Sequence, residues 1–543
     1  MRRFLFLACL AVSLVAAPES APERARVTIL ATTDLHAHIA PLDYFANKPE
    51  QSGLAKIATL VQQARQENPR LLLLDSGDTI QGTPLAYVHN RKHNEPPDPT
   101  ILAMNALRYD AMTLGNHEYN FGLAVLRKAQ SEAKFPWLSA NTYRAGTDEP
   151  AFTPYLVKEI DGVRVGIFGL TTPAIPSWED PAHIAGLEFR DPVTEAQKWV
   201  TVLRERERVD LVVLMAHFGL SEDLATGFVT PGQMPHENEA LAIARNVPGV
   251  DLILMGHTHR EIPGLVIGNT LLAQAGKWGE RLVRAEIYFQ KDAAGRWQIA
   301  GKTARTLPVT EQVAADPEIL RLVEPYDRET QAWLSQPIGQ CAQALTATDS
   351  RLRDSALLDL VHRAQLEAGH ADVSMAASFN LQARIPQGPV TVREIYSLYY
   401  YENTLVVAEL TGRQLKTALE HSTHYFRPYE TGRTAAELID PRVPGYNFDM
   451  AEGVDYTIDL TRPVGDRIVN LQYRGQPLAP DQKLRVAFNN YRHNGGGGYT
   501  VYKDAPVVFR SNVEIRDLII NWVERHREIP SEPTNNWRIL PTP

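Results

Sequence analysis

Five apolar runs in this chain each lead into residues of a metal-binding type. The run 27–30 precedes Asp34-Leu35-His36, and 71–74 precedes Asp75-Ser76-Gly77-Asp78. The run 111–114 leads into Gly115-Asn116-His117-Glu118, 211–215 into Ala216-His217, and 252–255 into Gly256-His257-Thr258-His259. Asp-x-His alone recurs by chance, Gly-Asp is usually a turn, and a lone histidine such as His217 is more often a hydrogen-bonded core residue. Five such groups in order are a poor fit to chance. Strand ends are where α/β folds build sites, and alternate residues of an extended Gly-His-x-His face the same way. Two divalent cations about 3.5–4 Å apart can clamp the attacking and leaving oxygens of a phosphoryl group. Holding them so close needs a bridging anion, for which Asp78 is the natural candidate. Asp34, His36 and His259 then complete one metal, and Asn116, His217 and His257 the other. Oxygen and nitrogen donors suit Mn, Zn, Co or Fe and leave the choice open. Gly77, Gly115 and Gly256 let the backbone turn and approach the metals. His117, not needed as a ligand, is placed to steady the phosphate and protonate the leaving oxygen.

The elements that must carry these groups alternate strand-like and helical patterns over 24–308, the sign of a layered α/β domain. Next, Asp316 can cap a helix and Pro317 suits its first turn. Ile319, Leu322, Val323, Tyr326, Trp333 and Leu334 keep a helical period, and Pro325 predicts a kink. Residues 309–337 therefore read as a connector. Beyond it, 338–543 reads as a second α/β domain, with a helix over 357–368 and a strand over 404–410.

The 543 residues are too many for one ordinary core, and 44% hydrophobic with 22% charged is a globular balance. A net charge of −9 argues against a partner that is a nucleic-acid polymer. The two cysteines exclude a disulfide framework and a Cys-rich zinc site. Residues 1–17 read as a secretory signal: Arg2 and Arg3, an apolar stretch, then Val15-Ala16-Ala17 for cleavage. Lipid attachment at Cys9 is the alternative. No later apolar run reaches the roughly 20 residues of a spanning helix. The expectation is a periplasmic or secreted monomer, free of the membrane after processing.

With these residues in view, the metal motifs resemble those of calcineurin-like metallophosphoesterases. The chain with its second domain resembles the exported 5'-nucleotidase family. The resemblance implies an αββα sandwich followed by a 5'-nucleotidase C-terminal domain that supplies the nucleoside pocket and moves between open and closed positions. Several segments look most like the 2',3'-cyclic-nucleotide 2'-phosphodiesterase/3'-nucleotidase branch. They are 115–120, 400–405, 446–449, 489–492 and 535–538. By that likeness Tyr401 and Tyr491 sandwich the base, and Asn490, Arg353 and Arg384 belong to the substrate site. Stacking accepts any base, because each has a π-face. A guanidinium suits phosphate through its two parallel hydrogen bonds.

Two departures carry physical content. Asn120 stands where 5'-nucleotidases usually have an aspartate beside the catalytic histidine, so it orients His117 without stabilising the imidazolium by charge. Gly497 stands where they have an aspartate that holds the free ribose diol. A 2',3'-cyclic phosphate or a 3'-phosphate has no such diol, and its charge would be repelled by an acid there. The expected reaction is the opening of 2',3'-cyclic nucleotides to 3'-nucleotides, then phosphate release. The rivals are a 5'-nucleotidase or UDP-sugar hydrolase, a thiohydrolase on the same fold, and an exported protein that binds metal or nucleotide without turnover. Glu118 reads as a support for its loop. His38, His89, His93 and His236 read as solvated or supporting.

Overall fold

The computed structural model describes residues 23–541, apart from 228 and 230–232; the export signal expected at 1–17 lies outside them. Two six-stranded sheets form the first half. One runs Trp297–Pro308, Arg281–Lys291, Arg24–Thr32, Leu72–Asp75, Ala111–Thr113, Trp137–Leu138. The other runs Glu261–Ile267, Thr270–Ala275, Leu252–Met255, Leu211–His217, Val163–Thr171, Tyr155–Ile160. The site-bearing strands pair in parallel, Ala31 with Leu74 and Leu74 with Ala111 in one sheet, Met215 with Leu254 in the other.

Alternation decides which residue meets which layer. Ile29, Ala31, Leu72 and Leu74 face Ile167, Val213, Met215 and Leu254 between the sheets. Their neighbours Leu30 and Leu73 pack outward with the helix Leu54–Glu67. On the opposite flank, Val212 and Leu214 pack with the helices Pro192–Thr201 and Ala240–Asn246. Strands covered on both faces need apolar residues at every position, which is why these runs do not alternate in sequence. The result is the αββα sandwich, with parallel strand ends brought to one edge.

The helix Pro317–Leu334 begins where its cap predicts: the Asp316 carboxylate accepts from the N–H groups of Glu318 and Ile319 at 2.8 and 3.0 Å. It continues through Pro325. Its Asp327 accepts from Tyr44 Oη at 2.8 Å, and its Gln331 accepts from Arg393 at 2.8 Å. Trp333 lies against both Tyr87 and Tyr396. The helix thus touches both halves. His89, expected to be solvated or supporting, is 3% exposed and meets the Tyr326 ring at 5.9 Å. It belongs to this packing and not to the site.

The second half centres on a five-stranded sheet, Asp449–Glu452, Val373–Ala377, Lys483–Asn489, Thr404–Thr411, Val507–Glu514. The helices Ala356–Gly369, Gly412–Ser422 and Ile515–His526 flank it. Direct bonds join the halves: Arg91 pairs with Glu514 at 2.9 Å, and Tyr87 Oη donates to Asp517. Among the described residues no helix is long and apolar enough to cross a membrane.

Candidate metal centre and substrate cavity

The strand-end turns are tight enough to force most of the expected ligands into the left-handed backbone region. Asp34, His36, Asp78, His257 and His259 have φ of 50, 45, 60, 70 and 54°. For residues other than glycine this costs roughly 1–3 kcal/mol each, and it persists only where surrounding bonds impose it. The buried Glu118 carboxylate is one such constraint. It accepts the N–H groups of Asp78 at 2.9 Å, Thr79 at 2.5 Å and Gly115 at 2.6 Å, tying two site loops together. Of the three glycines expected at the turns, only Gly77 uses a positive φ, 90°. Gly115 and Gly256 matter through space instead, since a β-carbon on Gly256 would lie 2.4 Å from Thr33 Oγ1.

Two donor groups result, Asp34 with His36 and His259, and Asp78 with His217 and His257. In the first, His259 Nε2 lies 3.1 Å from His36 Nε2 and 3.4 Å from Asp34 Oδ1. In the second, His217 Nε2 lies 3.0 Å from Asp78 Oδ2 and 3.1 Å from Asn116 Oδ1, and His257 Nδ1 is 2.9 Å from the same amide oxygen. Asp78 Oδ2 is also 3.8 Å from His36 Nε2, which places it between the groups.

The remaining ring nitrogens fix the tautomers. His36 Nδ1 donates to the Gln81 carbonyl at 3.1 Å and His217 Nδ1 to the Ser76 carbonyl at 2.7 Å. His257 Nε2 donates to Glu237 Oε1 at 3.1 Å. Backing of this kind aims the other nitrogen's lone pair at a metal. With Nε2 turned to Glu237, the His257 ring aims Nδ1 at the Asn116 amide oxygen, a pair of donor atoms that one cation can take up together. The donor set fits two divalent ions.

Burial holds the His36 imidazole down to about 3, neutral at any ordinary pH. Burial opposes ionisation of Asp78, but the His217 and His117 rings outweigh it and keep its carboxyl well below the usual range. Burial likewise works against His217, yet Asp78 lifts it to about 10. A cation at this group displaces that proton, so its binding is coupled to proton release.

His117 stands beside both groups. Its backbone N–H donates to Asp78 Oδ1 at 2.8 Å, and its ring meets His36 edge-on at 5.1 Å. Its Nδ1 is 2.6 Å from Asn120 Oδ1. All nine residues expected at the metal and acid positions therefore come together.

Seven of the nine, all but the fully buried Asp34 and His217, line a cavity of about 1440 Å³ between the domains, and Tyr401, Tyr491, Asn490 and Arg384 line it too. Tyr401 meets Phe379 edge-on at 4.9 Å. Asn490 is committed to the protein: its Oδ1 accepts from the Thr404 N–H at 3.0 Å, and its amide nitrogen donates to the Trp178 carbonyl at 3.4 Å. Arg353 does not reach the cavity. It is largely exposed and pairs with Asp349 one helical turn away, at 2.5 Å. Gly497 is also off the cavity wall, with φ of 68°. A β-carbon there would lie 2.3 Å from Asn447 Oδ1 and 2.6 Å from Arg492 Nη1, so these two side chains occupy the space. His38 is buried, not solvated, and stacks on Trp278 at 4.7 Å.

Sequence reasoning missed Gln81, Trp178, Glu179 and Glu237 and gave no role to Asn447 and Arg492, which lie in segments it singled out; all six are on the cavity wall. Trp178 stacks on His257 at 5.3 Å. No local spacing announces these residues, because each reaches its partner from a distant segment.

Comparison with known proteins agrees with this geometry. Residues 27–261 match the calcineurin-like phosphoesterase family model, and 337–504 match the model of the 5'-nucleotidase C-terminal domain. A Haemophilus influenzae 2',3'-cyclic-nucleotide 2'-phosphodiesterase/3'-nucleotidase is 32% identical over 584 residues, covering 94% of this chain and 87% of that protein. A Vibrio vulnificus 5'-nucleotidase is 26% identical, covering 93% of this chain and 91% of its own length. A Staphylococcus aureus structure provisionally named a 5'-nucleotidase, solved with α-ketoglutarate, superposes with a TM-score of 0.84 at 27% identity. It covers 95% of this chain and 100% of its own. With both domains matched in order and the metal-ligand geometry in place, the chain belongs to the calcineurin-like metallophosphoesterases that carry a 5'-nucleotidase C-terminal domain.

Proposed function

We propose that the protein hydrolyses nucleotide phosphoesters, opening 2',3'-cyclic nucleotides to 3'-nucleotides and then releasing phosphate to leave the nucleoside. The observation that carries this reading is the wall at Asn447 and Arg492. Arg492 is fully engaged with Asp449, at 2.7 and 2.9 Å, and both are 2% exposed. There the wall presents an amide and a guanidinium neutralised by Asp449, whose carboxylate is tied up in that pair and is not offered to a ribose diol or a phosphate on it. Gly497 itself lies off the cavity wall, so the reading rests on its neighbours and not on that position. A side chain at 497 would press on Asn447 and Arg492, and it is these two that line the cavity.

Asp34, His36 and His259 would hold one divalent ion; Asn116, His217 and His257 the other, with Asp78 shared. When bound, the pair supplies Lewis acidity at the phosphoryl oxygens and a water of lowered pKa. His117, its Nδ1 held by Asn120, offers Nε2 as the proton donor to the departing ribose oxygen. Tyr401 and Tyr491 flank the base, and their indifference to base identity supports a broad nucleotide range. The amino-terminal segment read as an export signal supports an enzyme that works outside the cytoplasm.

The likeness to 5'-nucleotidases favours a second reading, in which 5'-nucleotides are the substrates. Release of nucleoside and phosphate from 2',3'-cyclic AMP, 3'-AMP and 5'-AMP, measured in parallel with manganese, separates the two. Fast turnover of the first two with little on the third is expected. Preference for 5'-AMP would overturn the substrate assignment while leaving the metal chemistry intact.

A further inference from the structure

The side chain that orients His117 is itself held from behind. Asn120 Oδ1 lies 2.6 Å from His117 Nδ1, and its amide nitrogen donates to Glu179 Oε2 at 2.6 Å. The other oxygen of Glu179 accepts from His183 Nδ1 at 2.9 Å and from the Asp180 N–H at 2.8 Å. Glu179 is 5% exposed. An ionised carboxylate only accepts hydrogen bonds, so it compels Asn120 to turn its NH₂ group toward Glu179 and its oxygen toward His117. That oxygen in turn requires the hydrogen of His117 on Nδ1, which leaves Nε2 as the working nitrogen. Were the amide free to flip, its NH₂ would face Nδ1, oppose a hydrogen there and so disfavour the doubly protonated ring that donates from Nε2.

The segment carrying Glu179 is fixed on two more sides. Trp178 stacks on His257 at 5.3 Å, and the Trp178 carbonyl accepts from Asn490 of the second domain at 3.4 Å. The Glu179 carbonyl accepts from Asn494 at 3.2 Å. The carboxylate therefore sits where the metal centre, the acid and the second domain meet.

We propose that Glu179 is the positioning residue of His117, acting through Asn120 to set the tautomer and orientation of the imidazole. This rests on the reading of His117 as the proton donor to the leaving oxygen, and the test separates the two. An alkoxide leaving group needs that proton and p-nitrophenolate does not, so kcat is compared on 3'-AMP and on p-nitrophenyl phosphate.

His117→Ala should depress kcat on 3'-AMP by about 10²–10⁴-fold and far less on the aryl ester. Equal losses on the two would sink the reading of His117 itself. Given a selective loss in His117→Ala, Glu179→Ala should show the same selectivity, at least about tenfold, with KM little changed. Glu179→Gln, which can still accept from Asn120, should recover part of it. Asn120→Asp alone should fail, because it sets two carboxylates in contact. Adding Glu179→Gln should restore activity by giving the introduced carboxylate a donor in place of a like charge. A selective His117→Ala with an unselective Glu179→Ala would overturn the proposal. So would an Asn120→Asp loss that is the same with Glu or Gln at 179, because independent sites add and coupled ones do not.

Discussion

A β-carbon on Gly115 would lie 2.2 Å from Asp78 Oδ1 and 2.7 Å from His217 Cε1. Gly115→Ala should therefore push Asp78 away from the histidines without disturbing the sandwich core. A displacement near 1 Å is worth about 10²-fold in rate. The expected outcome is a loss of that order in kcat with a melting temperature close to that of the parent. Unchanged kcat would show that the loop gives way freely.

Asp78 faces His36, His217 and the His117 backbone at once. Asp78→Ala should abolish turnover and lower the bound metal below two per chain by elemental analysis. Full activity in this variant would end the two-metal account.

Removal of the metals should act on stability as well as rate. Ligands that bind only the folded state stabilise by about 2.7 kcal/mol at a hundredfold excess over Kd. A chelator should lower the melting temperature, manganese should restore it, and in Asp78→Ala both shifts should shrink.

Tyr401 and Tyr491 line the cavity that the metal groups open into. Stacking is worth about 1–3 kcal/mol per base. Tyr401→Ala or Tyr491→Ala should lower kcat/KM on 3'-AMP by roughly 10–100-fold, mostly through KM. p-Nitrophenyl phosphate, which has no base, should be nearly unaffected. Comparable losses on both substrates would mean that the tyrosines serve packing.

In the second domain His362 is 2% exposed and its Nδ1 lies 2.9 Å from Ser374 Oγ. Burial pushes its imidazole down to about 4. In the unfolded chain it protonates near pH 6.5. Between those values the unfolded state binds the extra proton, so stability is full above pH 6.5 and falls as pH drops toward 4. At about 1.4 kcal/mol per pH unit the loss approaches about 3 kcal/mol. Urea midpoints of His362→Leu should depend less steeply on pH over that window. An unchanged slope would place the titration elsewhere.

The sequence by itself determined the parts whose physics is local. A strand and the turn that leaves it are contiguous, so apolar runs ending in Asp, His or Asn announced both the sheets and the metal donors. The cap at Asp316 with Pro317 likewise announced the helix Pro317–Leu334. Only tertiary structure decided the rest. Glu179 lies 59 residues from Asn120, and Glu237 reaches His257 from a loop with no regular spacing. Hydrogen bonds of this kind exist only once the sheets and the second domain fix the approach. Arg353 and Gly497 show the same limit from the other side. Their residue types suited the cavity, but whether a side chain faces substrate or another side chain is set by packing. For Gly497 it was set by Asn447 and Arg492, which fill the space first.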